Sequence, residues 1–207
     1  MRRLTRIGID LDGVLTNFDK AFRHRVLRPL FGMKGEFKEP QEFNYGLSPK
    51  QMERALAHLD RLRGFWADLE PYPNNLISTI KFIHTMPKDC QLLFITQRHG
   101  DPYKTWSETL LWLQKYGLMV PYKTRLLLHP ADGLLTKGYF CASEGVSFIL
   151  EDYPPNLDDI RRRSPRTIPV LLARPWNRAD RKRFMVVRNV QEYFERVTRA
   201  LTKGEKS

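Results

Sequence analysis

The chain has 207 residues, of which 42% are hydrophobic and 12% aromatic, and its formal net charge at pH 7 is +12. This length accommodates one substantial core, or one core with a small inserted subdomain, and the apolar content argues against intrinsic disorder. The two cysteines, Cys90 and Cys141, have no metal-ligand spacing and support neither a disulfide framework nor a zinc site. No apolar run approaches the length of a membrane span or forms a signal peptide, so we expect a soluble, cytoplasmic protein without membrane contact.

The first predicted element is a strand with the sequence RIGID, residues 6–10, which Leu11, Asp12 and Gly13 follow. Glycine is a turn signal that ends the apolar run, so Asp10 and Asp12 lie at the exit of the strand. Ligands bind outside the carboxyl ends of strands in an open α/β sheet, so both carboxylates are available to a ligand. Taken alone, an acidic turn in which the aspartates only cap backbone N–H groups explains the pattern equally well.

Residues 17–71 form a segment that is too long for a single crossover helix and predict an insertion. The pattern places one helix over residues 18–30 and a Gly- and Pro-containing loop over residues 31–40. A second helix is predicted to begin after Ser48, a favourable N-cap, with Pro49 as its first residue. The insertion is therefore expected to be mostly helical.

The segment GFWADLEPYP, residues 64–73, closes the insertion, and residues 74–86 have the pattern of a helix that returns the chain to the sheet. We therefore expect a core domain made of residues 1–16 and 72–207. Residues 17–71 are expected to form a helical subdomain over the strand ends, called the cap below.

Four further strands are predicted from short runs rich in β-branched residues and leucine: QLLFIT (91–96), TRLLLH (124–129), SFILE (147–151) and TIPVLLA (167–173). Longer segments with helical periodicity separate most of these runs. In residues 103–116 the apolar face of the helix is predicted to contain Trp106, Leu110 and Leu113, with the neighbouring Leu111 and Leu118. Alternating strands and helices predict an α/β fold, a parallel sheet with helices on both faces.

The last quarter of the chain carries most of the excess positive charge. From residue 155 onward there are 14 Lys and Arg against 6 Asp and Glu, with the clusters RRRSPR (161–166) and RADRKR (178–183). Such clusters bind nucleic acid, attract anionic substrates, or form a solvated helix face, and the sequence leaves these readings open. The nearby PWN loop either orders the chain around Asp152 or, through Arg174 or Arg178, contacts the substrate.

Residues able to support phosphate chemistry follow the predicted strands in a fixed order: Asp10 and Asp12, then Thr96, then Lys137, then Glu151 and Asp152. This order resembles the four motifs of the haloacid dehalogenase (HAD) superfamily of phosphotransferases. The resemblance implies a Rossmann-like sheet, a Mg²⁺ ion and a phospho-aspartyl intermediate. The long insertion after the first motif is similar to the cap position used by one class of the superfamily.

Within the superfamily, the chain most resembles the C-type 5'-nucleotidases, the 5'(3')-deoxyribonucleotidases. The similar segments are DLDGVLTNFD, FWADLEPYP and DPYKTWSETLLWLQKYG, and the likeness spans most of residues 6–156. It implies hydrolysis of nucleoside or deoxynucleoside monophosphates. Two departures are Glu151, where these nucleotidases have Asp, and Gln97-Arg98, where small or hydroxyl residues are common.

The resemblance implies a role in phosphoryl transfer for each of these motif residues. Asp10 would be the nucleophile, and Asp12 would protonate the leaving oxygen and then deprotonate the attacking water. Thr96 and Lys137 would bind the transferring phosphoryl group. Mg²⁺ prefers hard oxygen ligands, which Asp10, Asp152 and the backbone carbonyl of Asp12 would supply. Glu151 would lie behind them, ordering a water or holding Lys137.

Substrate contacts are predicted for the glycine that follows Asp12 and for the two residues that follow Thr96. By resemblance, a nucleobase would stack on aromatic residues of the insertion. The predicted substrate-binding residues are Gly13, Phe18, Phe43, Trp66, Gln97 and Arg98. His99 is treated as a bystander. A phosphatase acting on polynucleotide ends and a non-catalytic nucleic-acid-binding protein are the alternatives, and a homodimer is left open.

Overall fold

The computed structural model describes residues 4–32, 44–131 and 135–204. Its strands are β1 (Thr5–Ile9), β2 (Cys90–Arg98), β3 (Thr124–Pro130), β4 (Val146–Glu151), β5 (Ile168–Leu172) and β6 (Met185–Val187). They form one parallel sheet with the order β3-β2-β1-β4-β5-β6. The five predicted strands and the Rossmann-like α/β architecture are confirmed, whereas the three-residue β6 was not predicted.

The central position of β1 determines which loops meet. A Cβ atom on Gly8 would lie 3.1 Å from Cγ1 of Ile149, so glycine allows β1 and β4 to approach closely. The Tyr193 hydroxyl donates a hydrogen bond to the Gly8 carbonyl at 2.8 Å. The Asp10 N–H donates to the Leu150 carbonyl at 3.0 Å, which carries the pairing one residue beyond β1. The carboxyl ends of β2, β1 and β4 therefore lie side by side.

The helices follow the predicted alternation with the strands. They are α1 (Phe18–Phe22), α2 (Arg28–Phe31), α3 (Pro49–Arg61), α4 (Pro73–Thr85), α5 (Pro102–Lys115), α6 (Lys137–Glu144), α7 (Pro154–Arg163) and α8 (Val190–Gly204). A π-helical turn, Arg23–Leu27, joins α1 to α2, and a 3₁₀ segment, Pro175–Arg183, precedes β6. No helix in the described ranges is long and apolar enough to cross a membrane.

Helix α3 begins as predicted. The Ser48 hydroxyl oxygen accepts the Gln51 N–H at 3.4 Å, and the Gln51 side chain accepts the Ser48 N–H at 2.9 Å. This reciprocal arrangement is a capping box, which satisfies two backbone donors at the helix start.

The predicted apolar face of α5 is only partly right: Leu113, and Leu118 beyond the helix end, are buried as predicted, but two other members are not. Trp106 and Leu111 are 47% and 57% exposed, and the buried face consists of Thr105, Thr109, Trp112 and Leu113. The Thr109 hydroxyl accepts a hydrogen bond from Arg98 at 2.7 Å, and the Trp112 indole N–H donates to the Leu69 carbonyl at 2.7 Å. The helix therefore turns its threonines inward because they hold polar partners, which a hydrophobic pattern does not detect.

Side chains of α5 also hold the segment in which the insertion ends. The Lys104 ammonium donates to the carbonyls of Asp60 and Leu62 at 3.0 and 2.6 Å. The Glu108 carboxylate accepts the N–H groups of Gly64 and Trp66 at 2.8 and 3.1 Å. One hydrophobic cluster runs through residues on both sides of the predicted cap boundary, so the division into core and cap remains a prediction.

We expect Glu108→Gln to lower the free energy of unfolding by about 1 to 3 kcal/mol. The carboxylate accepts two backbone N–H groups, whereas an amide offers one oxygen and would place its own N–H groups against the second donor. Urea denaturation measures the change. Glu53→Gln, on the exposed face of α3, is the matched control and should change stability by less than about 0.5 kcal/mol. Equal effects of the two substitutions would contradict this account of Glu108.

Candidate active site

A cavity of about 480 Å³ opens where the ends of β1, β2 and β4 meet. Its floor carries the acidic residues of the β1 and β4 loops together with Lys137, and its walls include residues from the insertion and from α7. Parallel topology brings these side chains together because all three strands end at the same edge of the sheet. The predicted residues on its surface are Asp10, Asp12, Gly13, Phe18, Trp66, Gln97, Arg98, Lys137, Glu151 and Asp152.

Lys137 lies at the centre of the floor. It is the first residue of α6, and its ammonium lies 2.7 Å from Asp10 Oδ1 and 2.5 Å from Glu151 Oε2. The carboxylates of Asp10, Glu151 and Asp152 are buried and each offers an oxygen within 4.8 Å of the others. One lysine therefore faces three carboxylates, which leaves an excess of buried negative charge.

The pKa values reflect this imbalance. Burial, followed by repulsion from Glu151, raises the pKa of Asp10 to about 8. Burial and repulsion from Glu151 and Asp10 hold the pKa of Asp152 well above its ordinary value, although Arg174 opposes the change. Burial lowers the pKa of Lys137, but the two carboxylates beside it outweigh burial and raise it. Three clustered carboxylates with too little positive charge fit a hard divalent cation such as Mg²⁺.

The Asp12 carboxylate is turned toward Arg98. Arg98 Nη2 and Nε donate to Asp12 Oδ1 and Oδ2 at 2.7 and 2.9 Å, and the Thr16 hydroxyl donates to Oδ1 at 2.7 Å. Arg98 was predicted to bind substrate, yet its guanidinium is committed to Asp12 and its side chain is fully buried. The strand β2 runs two residues beyond its predicted end, which places Arg98 beneath the β1 loop.

The segment after β5 ties two loops together. Arg174 Nε and Nη2 donate to the Gly13 carbonyl at 2.8 and 2.5 Å, and the Asn177 amide donates to the carbonyls of Asp152 and Leu172, both at 2.8 Å. Gly13 has a φ of +77°, and a Cβ there would lie 2.1 Å from Asp152 Oδ2. Of the two readings of the PWN loop, these contacts support the one in which it orders the chain around Asp152.

Phe18 and Trp66, two of the aromatic residues predicted to contact a nucleobase, form an aromatic wall of the cavity and contact each other. The rings of Phe18 and Trp66 stack on each other, with centroids 5.7 Å apart and an interplanar angle of 13°. Trp66 is only 4% exposed and also contacts the Arg98 guanidinium, 4.5 Å from its ring centre. Phe18 is half-buried, lies on the cavity surface, and also stacks on Phe22 with centroids 5.2 Å apart and an interplanar angle of 19°. The prediction for Phe43 lies outside the described residues.

Two predicted residues of β2 have different surroundings. Thr96 is fully buried, and its hydroxyl has no hydrogen-bond partner in the part of the chain that the structure describes. Gln97 faces the cavity, and its amide donates to the Ala131 carbonyl at 3.0 Å. The cavity is also lined by residues that were not predicted to bind substrate, namely Tyr45, His99, Tyr153, Asn156 and Trp176. His99 and Tyr153 closely follow the ends of β2 and β4, and this proximity in sequence was the only signal that they would line the cavity.

Comparison with known proteins gives consistent results. Residues 3–201 match the family model described as 5' nucleotidase, deoxy (pyrimidine), cytosolic type C protein. A search of curated protein sequences gives no match.

Several solved structures share the fold. A haloacid dehalogenase-like hydrolase from Streptococcus pneumoniae has a TM-score of 0.63 at 12% identity, over 94% of this chain and 98% of that chain. YfnB from Bacillus subtilis, assigned as a HAD hydrolase and solved with bound magnesium, has a TM-score of 0.53 at 14% identity, over 95% and 100% of the two chains. The L-2-haloacid dehalogenase from Xanthobacter autotrophicus has a TM-score of 0.52 at 13% identity, over 94% and 98%.

We expect Asp152→Asn to stabilise the protein in EDTA at pH 8 by about 1 to 3 kcal/mol, because it removes one of three mutually repelling carboxylates. The folded-state pKa values of Asp10 and Asp152 both lie above the ordinary 3.8, so the stabilising contribution of each is complete below that pH and is lost as the pH rises through its folded-state pKa, which for Asp10 is about 8. The original protein should therefore lose more stability than the variant between pH 5 and pH 8.

Urea unfolding in EDTA at the two pH values checks this expectation. Asp158→Asn on α7, which removes a partly exposed ion pair with Arg183, is the control and should change stability by less than about 1 kcal/mol. An Asp152→Asn protein that is less stable than the original at pH 8 would refute the repulsion argument.

Proposed function

Because this chain belongs to the cytosolic type C 5' nucleotidase family and is a HAD-type phosphatase, a phosphoric monoester hydrolase, we propose that it removes phosphate from nucleoside or deoxynucleoside monophosphates with the help of Mg²⁺. The observation that carries the proposal is the cluster of three buried carboxylates around Lys137, at the floor of a cavity with an aromatic wall. The description of the family as cytosolic supports a cytoplasmic location.

Asp10 is the nucleophile in this proposal. Its carboxylate attacks phosphorus, the bond to the leaving oxygen breaks, and an aspartyl-phosphate forms that water then hydrolyses. Asp10, Asp152 and the Asp12 carbonyl would hold Mg²⁺, which supplies the positive charge needed to bring two anions together. Glu151 is held by Lys137 and accepts the Tyr153 N–H at 3.2 Å, which supports a place behind the metal ligands.

Protons and phosphoryl oxygens are handled by the surrounding side chains. Asp12 gives its proton to the leaving oxygen and then takes one from the attacking water. The Thr96 hydroxyl, without a partner among the described residues, is available to donate to a phosphoryl oxygen. Lys137 keeps its charge because the carboxylates beside it raise its pKa, so it can balance the charge of the phosphoryl group.

The cavity wall supports a nucleotide as the substrate. The cavity volume of about 480 Å³ suits a small molecule of this size, and the half-buried ring of Phe18 on the cavity surface offers an aromatic contact to a base. In this proposal Trp66 supports the ring of Phe18 from behind, and Gly13 and Gln97 border the phosphate and the sugar. The insertion, residues 17–71, acts as the cap that selects the substrate, with Phe43 as a further proposed contact.

Contacts in the basic C-terminal quarter favour a mononucleotide over a polynucleotide substrate. Many of its arginines are engaged in ion pairs: Arg162 and Arg163 with Asp159, Arg183 with Asp158 and Asp180, Arg188 and Arg196 with Glu192, and Arg199 with Glu195. The carboxylate in each pair offsets part of the positive charge of its arginine, so these arginines offer less uncompensated charge to phosphates. An oligonucleotide substrate is therefore the less favoured candidate.

Purified protein with Mg²⁺ should release phosphate from one or more ribo- or deoxyribonucleoside monophosphates, and EDTA should abolish the release. Asp10→Asn should lower kcat by at least about a thousandfold because it removes the nucleophile. The panel contains 5'- and 3'-monophosphates, sugar phosphates and a 5'-phosphorylated oligonucleotide. Turnover of only the sugar phosphates or only the oligonucleotide would overturn the proposed substrate class, and full activity of Asp10→Asn would overturn the mechanism.

Phe18→Ala should raise KM for nucleoside monophosphates about tenfold, the loss expected when one aromatic stacking contact is removed. Its KM for ribose 5-phosphate should change less than about twofold, since that substrate has no base. Tyr103→Ala, at an exposed aromatic residue of α5, is the control and should change neither value. Equal KM increases for both substrates would count against stacking on Phe18.

A further inference from the structure

Arg98 has partners of its own besides the carboxylate that it contacts. Its side chain is fully buried, Nη1 donates to the Thr109 hydroxyl at 2.7 Å, and the guanidinium lies against the Trp66 ring. The Thr109 hydroxyl in turn donates to the Thr105 carbonyl at 2.6 Å. These partners lie on α5 and on a segment that α5 holds, so Arg98 is anchored to parts of the fold outside the β1 loop.

Asp12, in contrast, lies in the turn after β1. Both of its oxygens accept hydrogen bonds from Arg98, through Nη2 to Oδ1 and Nε to Oδ2. A planar guanidinium that binds both oxygens of a carboxylate determines the plane of that carboxylate as well as its place. Arg98 therefore sets the orientation of Asp12, and the contact with α5 sets the orientation of Arg98.

The contacts also distinguish the two oxygens of Asp12. Each oxygen of an ionised carboxylate has two lone-pair sites. Oδ1 accepts from Arg98 and from the Thr16 hydroxyl, which uses both sites. Within the described ranges, Oδ2 accepts only from Arg98 Nε, so one site on Oδ2 stays available for a proton.

We propose that Arg98 is a positioning residue that aims Asp12 Oδ2 at the leaving oxygen and at the attacking water. In the first step the Oδ2–H bond breaks and the proton passes to the leaving oxygen as its bond to phosphorus breaks. In the second step the water oxygen bonds to phosphorus, the bond to Asp10 breaks, and the proton from water passes to Oδ2. The inference rests on the proposed aspartyl-phosphate mechanism and assigns Arg98 to proton transfer instead of substrate binding.

The test uses the need for a proton on the leaving group. A sugar or nucleoside alkoxide must be protonated as it leaves, whereas p-nitrophenolate is stable without a proton. The value of kcat/KM reports the steps up to the first irreversible one, which is transfer to Asp10. It is measured for the original protein and for Arg98→Met with ribose 5-phosphate, a nucleoside monophosphate and p-nitrophenyl phosphate.

Arg98→Met should lower kcat/KM for the two alkyl phosphates by about a hundredfold, the usual scale of general acid catalysis, and that for p-nitrophenyl phosphate by less than about threefold. Asp12→Asn should show the same selectivity, and adding Arg98→Met to it should cause little further loss because both act on one proton transfer. Equal losses for all three substrates would overturn the proposal, as would a loss confined to the nucleotide, the result expected of a substrate-binding arginine.

Two further variants keep the test informative if Arg98→Met folds poorly. Thr109→Val removes only the contact that steadies Nη1 and should lower kcat/KM for alkyl phosphates several-fold while p-nitrophenyl phosphate hydrolysis stays unchanged. Arg98→Lys keeps the charge but cannot bind both oxygens in one plane, so it should rescue only part of the loss. Arg166→Met, on the exposed surface near the start of β5, should leave all three substrates unaffected. The proposal would be overturned if Thr109→Val and Arg98→Lys had the same ratio of kcat/KM for alkyl phosphates to kcat/KM for p-nitrophenyl phosphate as the original protein.

This experiment separates the inference from the proposed function. If the protein hydrolyses ribose 5-phosphate and p-nitrophenyl phosphate but not nucleotides, the substrate class is wrong and the leaving-group comparison still tests Arg98. If nucleotides are hydrolysed and Arg98→Met affects every substrate equally, the nucleotidase proposal stands and the role of Arg98 is refuted.

Discussion

The ion pairs of Lys137 with Asp10 and Glu151 are the interaction on which the rest of this structure depends. Burying a carboxylate is costly unless a partner charge or hydrogen-bond donor compensates it, and here one ammonium serves two carboxylates at 2.7 and 2.5 Å. Asp152 adds a third buried carboxylate nearby. The fold tolerates this charge because the strands behind it are apolar and closely packed, so the excess remains at one edge of the sheet, where a cation and a phosphate can enter.

The acidic loop after β1 is held from three directions. Thr16 and Arg98 bind the Asp12 carboxylate, and Arg174 binds the Gly13 carbonyl from the segment after β5. Thr16 belongs to the loop itself, whereas Arg98 and Arg174 come from distant segments, so the loop is tied to β2 and to the segment after β5. A site for phosphoryl transfer requires this, since it works by positioning charges and proton donors around a phosphate more than by supplying new bonds.

The differences between prediction and structure have a common physical cause. The apolar face of α5 was predicted from hydrophobic residues, yet Thr105 and Thr109 point inward because Thr109 binds a buried arginine. Arg98 was predicted to bind substrate because it follows Thr96 in sequence. It does lie on the cavity surface, but the longer β2 places its guanidinium against the Asp12 carboxylate. In both cases a polar residue is buried with a partner distant in sequence, and such partners leave no local pattern.

The sequence by itself determined the alternation of strands and helices, the insertion after β1 and the order of acids, threonine and lysine along the chain, because hydrophobic periodicity and turn residues are local properties. It also predicted which residues would meet, since parallel strands end at one edge. Tertiary structure alone decided that Arg98 pairs with Asp12, Arg174 with the Gly13 carbonyl and Lys137 with Asp10. These pairings depend on distances between segments up to 161 residues apart, which packing sets and local sequence does not encode.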